Sequence, residues 1–150
     1  HFKQDDIKKL LPHRDPFLLI DTIDALDASE GIVLGTRTIK SNDPVFKGHF
    51  PEYPVYPGVL QIEMVGQMGL TLTHFMTNKT DKIDVNAKPV NVRATKIHAA
   101  FFLGEIQPGQ SVTIIAKKLL FDEYNGIVIG QTVVEGKVCS VSIGEVLFVG

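Results

Sequence analysis

The chain has 150 residues and only one cysteine, Cys139. An internal disulfide is therefore excluded, which fits a reducing, cytoplasmic setting. Cys139 lies in an apolar, alternating stretch, where a thiol behaves as a small core side chain. Basic runs are absent and the formal net charge is only −2. Nothing therefore marks a nucleic-acid or anionic-membrane surface. No apolar run reaches the length that crosses a bilayer, and the N-terminal segment HFKQDDIKKLLPHRDPF has no apolar leader core. Internal repeats and low-complexity tracts are missing too. One domain over residues 1–150 is the expectation, since this length supports one core and not two.

Apolar residues make up 44% of the chain and charged residues 21%, the balance of a folded globular domain. A short helix is expected over Lys3–Leu11. Strands are expected over Phe17–Leu26 and Gly31–Lys40, with Asp27–Glu30 as the turn between them. After the loop signal Asn42-Asp43-Pro44 comes an unusual arm with prolines at 51, 54 and 57. Each proline fixes its own φ and biases its predecessor toward extended backbone, so the arm should be stiff and poor in hydrogen bonds. Pro57 suits the first position of a helix that runs on through Phe75. That helix is apolar almost all round, which marks it as buried. Asn78–Asn86 reads as a loop. Strands follow over Val90–Phe102, Ser111–Tyr124, Ile127–Glu135 and Lys137–Val149, with a hairpin turn at Asn125-Gly126. Strands on both sides of one apolar helix argue for α+β, with an antiparallel sheet wrapped around the helix. Such a sheet leaves an edge strand and an open apolar side, so a symmetric homodimer is expected.

Glu63 is the only acid between Glu52 and Asp81, and it falls early in the apolar helix. A bare carboxylate is costly to bury, and an apolar setting favours its protonated form, as a general acid needs. Gln67, Thr71 and His74 continue a polar stripe from it. The stripe reads either as the solvent face or as one side of a site. It carries only one charge, and it starts beside the proline arm. Tyr56 stands where a capping Ser, Thr, Asp or Asn would satisfy the first helical amides. The amides of Gly58 and of Val59 after it are thus candidates to bind a developing oxyanion. His49 heads the arm, followed by Phe50. Imidazole, carboxylate and free amides together form an acid, base and oxyanion set.

The segment GHFPEYPVYPGVLQIE at 48–63 resembles the signature G-H-F-P-x-x-P-V-M-P-G-V-L-x-x-E of FabZ-type 3-hydroxyacyl-[acyl-carrier-protein] dehydratases. LLPHRDPFLLID at 10–21 is similar to that family's LLPHRYPFLLVD, and Pro108-Gly109 falls in register with its Pro-Gly turn. The resemblance implies the hotdog fold and a homodimer, often assembled as a trimer of dimers. It implies no metal and no cofactor. It implies a site shared between subunits, with His49 of one taking a C2 proton and Glu63 of the other protonating the C3 hydroxyl. The Gly58 amide would bind the thioester carbonyl, Gln67 would orient Glu63, and Val59 and Phe50 would border the substrate. The substrate would arrive on the phosphopantetheine arm of an acyl carrier protein. FabA-type dehydratase-isomerases carry Asp where this chain has Glu63, which points away from the isomerising subtype.

Tyr56 replaces a common Met, Asp15 an aromatic, Lys96 a common Gly, and Leu103-Gly104 a common Lys-Arg pair. That basic pair would suit an acidic carrier, so a specialised lipid, polyene or polyketide pathway stays open beside fatty acid synthesis. His13 and Arg14 read as structural, because no acid-base partner lies near them in sequence. A hotdog thioesterase, using Glu63 to activate water, and a non-catalytic acyl-binding subunit are the competing readings.

Overall fold

The computed structural model describes residues 1–149. The elements are β1 (Phe2–Lys3), α1 (Gln4–Leu10), β2 (Thr22–Asp27), β3 (Ile32–Thr38), a 3-10 turn (Pro44–Lys47), α2 (Gly58–Asn78), β4 (Val92–Phe102), β5 (Ser111–Phe121), β6 (Asn125–Val134) and β7 (Lys137–Phe148). Every neighbouring strand pair is antiparallel, in the order β1-β2-β3-β5-β6-β7-β4. The sheet curls around α2, the α+β arrangement expected from the apolar helix between strand groups. Met64, Met68, Leu72 and Phe75, spaced three or four apart, are fully buried against Val112, Ile114 and Ala116 of β5.

Glycines let the helix sit close to the sheet. A Cβ at Gly130 would meet Val65 Cγ1 at 2.3 Å and the Ile115 carbonyl at 2.7 Å, and one at Gly35 would meet Met68 Cε at 2.4 Å. Gly130→Ala is therefore expected to destabilise the fold by about 1–3 kcal/mol, the usual cost of overpacking. A denaturation midpoint equal to wild type would show that the helix is not seated on this glycine.

The polar stripe does not face solvent. Gln67 and Thr71 are fully buried and His74 nearly so. The less covered side of α2 runs instead through Val59, Ile62, Glu63, Gly66 and Leu70. Burial lowers the pKa of His74, and Asn78 Nδ2 lies 3.4 Å from its Nδ1. On acidification the unfolded chain binds a proton at His74 that the folded chain resists, so stability falls from pH 7 to pH 5. His74→Gln should lose part of that slope in urea titrations at the two pH values. An unchanged slope would mean that the buried imidazole is not responsible.

Three expected boundaries shift, each for a local reason. Residues 17–20 are not strand, because side chains rather than a neighbouring strand bond their backbone. Gln67 bonds Phe17 O and Leu19 N, Arg37 donates to Leu18 O, and Gln4 donates to Ile20 O. The hairpin turn precedes Asn125-Gly126: the Asp122 carboxylate accepts the amides of Tyr124 and Asn125, and both Asn125 and Gly126 belong to β6. Pro57 is the N-cap of α2 rather than its first turn, and the helix continues to Asn78. It ends at Lys79, whose positive φ of 49° turns the chain while Thr80 N–H returns to Phe75 O.

β4 lies at the edge of the sheet, paired only with β7. Ile97, Phe101 and Phe102 of this strand, and Leu103 after it, are more than half exposed. A long edge with apolar side chains is a surface that proteins normally cover.

Candidate active site

The proline arm is held by more hydrogen bonds than its composition suggests. Asp43 caps the 3-10 turn by accepting Val45 N–H, and His49 N–H donates to Val45 O. Phe50 and Tyr53 exchange backbone bonds, Val55 N–H donates to His49 O, and Tyr56 N–H donates to Ile106 O. Tyr56 is buried against Phe46, and burial pushes its phenol up to about 12, so it stays protonated. The Met-to-Tyr departure thus adds packing beneath the arm rather than a titrating group.

His49 is fixed by this frame. Its Nδ1 lies 2.8 Å from the Val55 carbonyl, and Phe50 stacks on the ring at 4.0 Å. A carbonyl only accepts, so Nδ1 carries the ring proton. Nε2 is left with its lone pair, the form a general base requires. The ring opens into a groove of about 320 Å³ that Gly58, Val59, Phe102 and Glu105 also line.

At the start of α2 no side chain caps the helix. Among the described residues the amides of Gly58 and Val59 have no acceptor, since the first amide bonded back, that of Leu60, reaches Pro57 O. They point out of the positive end of a 21-residue helix. Phe102 lies over this point, and a Cβ on Gly58 would come within 2.6 Å of its ring. Only glycine leaves room there for both the ring and a ligand oxygen.

Glu63 is held from the opposite direction. Gln67 Nε2 donates to its Oε2 at 2.9 Å and to Phe17 O at 2.9 Å, while Gln67 Oε1 accepts Leu19 N–H at 2.9 Å. The carboxylate is not desolvated as expected, for its side chain keeps 33% of its surface exposed within one chain. It faces a mostly apolar cavity of about 130 Å³ shared with Gly66, Leu70, Ile97 and Val128.

One residue escapes sequence reasoning. His13, expected to be structural, brings Nε2 to 3.6 Å from Glu63 Oε2. Fifty residues separate the two along the chain. The contact exists because Gln67 ties the loop before β2 to the helix, and no periodicity reports such a tie. Arg14 stays structural, donating to the carbonyls of Lys8, Leu11 and His13.

Within one chain His49, Gly58 and Val59 share a groove, and Glu63 does not join them. Glu63 stands five positions on from Gly58, roughly 140° round the axis, and one turn on from Val59 on the less covered side of α2. Among the described residues no group of three His, Cys, Asp or Glu is placed to hold a metal ion. No helix is long and apolar enough to cross a membrane.

Residues 11–140 match the FabA-like domain family. The chain is 34% identical over 147 residues to the 3-hydroxyacyl-[acyl-carrier-protein] dehydratase FabZ of Clostridium botulinum (strain Eklund 17B / Type B), covering 97% of this chain and 96% of that one. It belongs to the FabZ-type dehydratase family. Another FabZ, from Clostridioides difficile (strain 630), is 40% identical over 111 residues, which are 73% of this chain and 71% of the relative. Among solved structures, the dehydratase heterocomplex ApeI:P from Xenorhabdus doucetiae superposes with a TM-score of 0.71 over 96% of this chain and 91% of that one, at 18% identity. A hypothetical thioesterase with coenzyme A from Streptococcus pneumoniae gives 0.63 at 9% identity over 86% and 85% of the two chains. These two matches speak to the fold alone, and that fold is the hotdog. As a FabZ-type dehydratase, the chain is a lyase.

Proposed function

We propose that this chain removes water from (3R)-3-hydroxyacyl thioesters carried on acyl carrier protein, giving trans-2-enoyl thioesters in fatty acid biosynthesis. The observation that carries the mechanism is the shared groove of His49 and the open amides of Gly58 and Val59. The thioester carbonyl seats on these amides, and the C2 hydrogen faces His49 Nε2. His49 takes that proton, and the electron pair of the C2–H bond moves toward the carbonyl. The amides stabilise the enolate-like charge where it forms. The pair then forms the C2=C3 bond as the C3–O bond breaks, and Glu63 protonates the departing hydroxyl so that it leaves as water.

Glu63 of the same chain lines a different cavity, and on this reading the acid comes from a second copy across a two-fold axis. Support for the dimer comes from the open edge of β4, its exposed apolar residues, and the uncovered side of α2 beside them. Assembly as a trimer of such dimers and a cytoplasmic location complete the reading. The acyl chain lies in the cavity beyond Glu63. Its volume of about 130 Å³ in one chain is near the roughly 150 Å³ that holds benzene in an engineered core, so one chain alone houses only a few carbons.

The test is a panel of 3-hydroxyacyl thioesters of graded length on acyl carrier protein and on coenzyme A, followed by enoyl absorbance and by free thiol. Enoyl product on the carrier protein is expected. Thiol release without enoyl product would replace this reading with a thioesterase. Tight binding of acyl carrier with no turnover at any length would leave a non-catalytic subunit.

A further inference from the structure

We propose that His13 is a positioning residue for Glu63, which together with Gln67 directs the acidic proton to Oε1 and holds the carboxylate as it forms. The proposal rests on the dehydratase reading above and assigns a residue that the His49–Glu63 pair does not include.

The orientation of Gln67 starts the argument. Its Oε1 accepts the Leu19 amide, so its Nε2 must be the end that meets Phe17 O and Glu63 Oε2. Gln67 can only donate to Glu63. The His13 ring leads to the same oxygen. Its Nδ1 is buried without a partner, while its Nε2 faces Oε2 at 3.6 Å. A ring proton on Nδ1 would have no acceptor, whereas on Nε2 it points at a carboxyl oxygen, so Nε2 carries it. Two donors thus converge on Oε2. The Gln67 bond makes Oε2 the carbonyl oxygen of the acid, the His13 N–H faces that same oxygen without yet bonding it, and the transferable proton sits on Oε1.

The separation of 3.6 Å is too long for a formed hydrogen bond. When Oε1 gives its proton to the leaving hydroxyl, the C3–O bond pair departs with oxygen as water and Glu63 is left as a carboxylate. Negative charge then grows on Oε2 and draws the His13 N–H into a full bond. The contact is stronger after proton transfer than before it, which is the condition for lowering the barrier. The ring is held ready for this by its stack on Phe17 and by the Arg14 bond to His13 O. His13 does not replace the acid, because it touches the oxygen that keeps no proton.

The experiment compares 3-hydroxyacyl and 3-fluoroacyl thioesters of equal length on the same carrier. Fluoride leaves without needing a proton, so its loss depends on His49 and hardly on Glu63. His13→Phe keeps the ring and its stack but loses the donor. It is expected to lower kcat on the hydroxy substrate roughly 10- to 100-fold, the worth of a hydrogen bond to a charged group, with KM little changed. Its rate on the fluoro substrate should stay within about twofold. His13→Gln, which restores an N–H donor, should recover most of the lost kcat. Equal slowing on both substrates, no slowing on either, or failure of both variants to fold would make His13 a structural residue and overturn the proposal. Wild-type enzyme that eliminates neither water nor fluoride would instead overturn the dehydratase reading, and this proposal with it.

Discussion

Equal amounts of His49→Ala and Glu63→Gln protein, unfolded together and refolded, are expected to regain about a quarter of wild-type activity, although each variant alone falls below about 1%. The figure follows from two-fold symmetry. Random pairing makes half of the dimers mixed. In a mixed dimer both lesions fall in one of the two sites, and the other site combines an intact His49 with an intact Glu63. If the pair worked within one chain, every chain would carry a lesion and refolding would recover nothing. The experiment therefore reads the arrangement of the site without a structure of the assembly. It draws on two observations: His49 shares its groove with Gly58, and Glu63 lines a different cavity.

Gln67→Leu should cause the largest loss of stability of any single substitution near the site. The side chain is fully buried and makes three hydrogen bonds, to Leu19 N, Phe17 O and Glu63. Leucine fills similar space but leaves two backbone groups of the 17–20 segment with no partner. At about 1–3 kcal/mol for each of the two orphaned groups, the loss is roughly 2–6 kcal/mol. For a domain of this size that lowers the melting temperature by roughly 4–24 °C. Gln67→Glu separates the structural share from the functional one. It still accepts Leu19 N–H, but it sets a second carboxylate against Glu63 and cannot donate to Phe17 O. Calorimetry together with kcat at a temperature where both variants remain folded is the measurement. A Gln67→Leu protein that melts with wild type would mean that the loop does not depend on this side chain.

The central architecture was legible because it rests on local pattern. An apolar helix between groups of alternating strands implies a wrapped sheet, and Met64, Met68, Leu72 and Phe75 fall inside as that pattern requires. The groove that His49 shares with Gly58 could be read because a short arm joins the imidazole to an uncapped helix start, whereas Glu63 lines a different cavity. What stayed hidden depends on distant partners. Phe17–Ile20 has the composition of a strand, yet Gln67, Arg37 and Gln4 take its backbone groups. The stripe through Gln67, Thr71 and His74 allowed two readings on periodicity alone; at Gln67 the loop it bonds through Phe17 and Leu19 makes it an inner face, and His74 lies beside the segment around Ile83 and Ala87. The loop that Gln67 bonds also carries His13 to Glu63. Sequence spacing held no sign of it, because the tie is made by a single amide side chain 48 residues away from Leu19.

The placing of His49 and Glu63 in different cavities of one chain also bears on how defective copies would behave in a mixed population. On the shared-site reading, a subunit lacking His49 alone still lends its acid to a healthy neighbour, and one lacking Glu63 alone still lends its base. A subunit lacking both lends nothing and spoils both sites of any dimer it enters. Co-produced with wild type, the single lesions act as partial losses and the double lesion acts as a dominant poison. On that reading, the sharing of one site by two chains would set the inheritance pattern of damage to this enzyme.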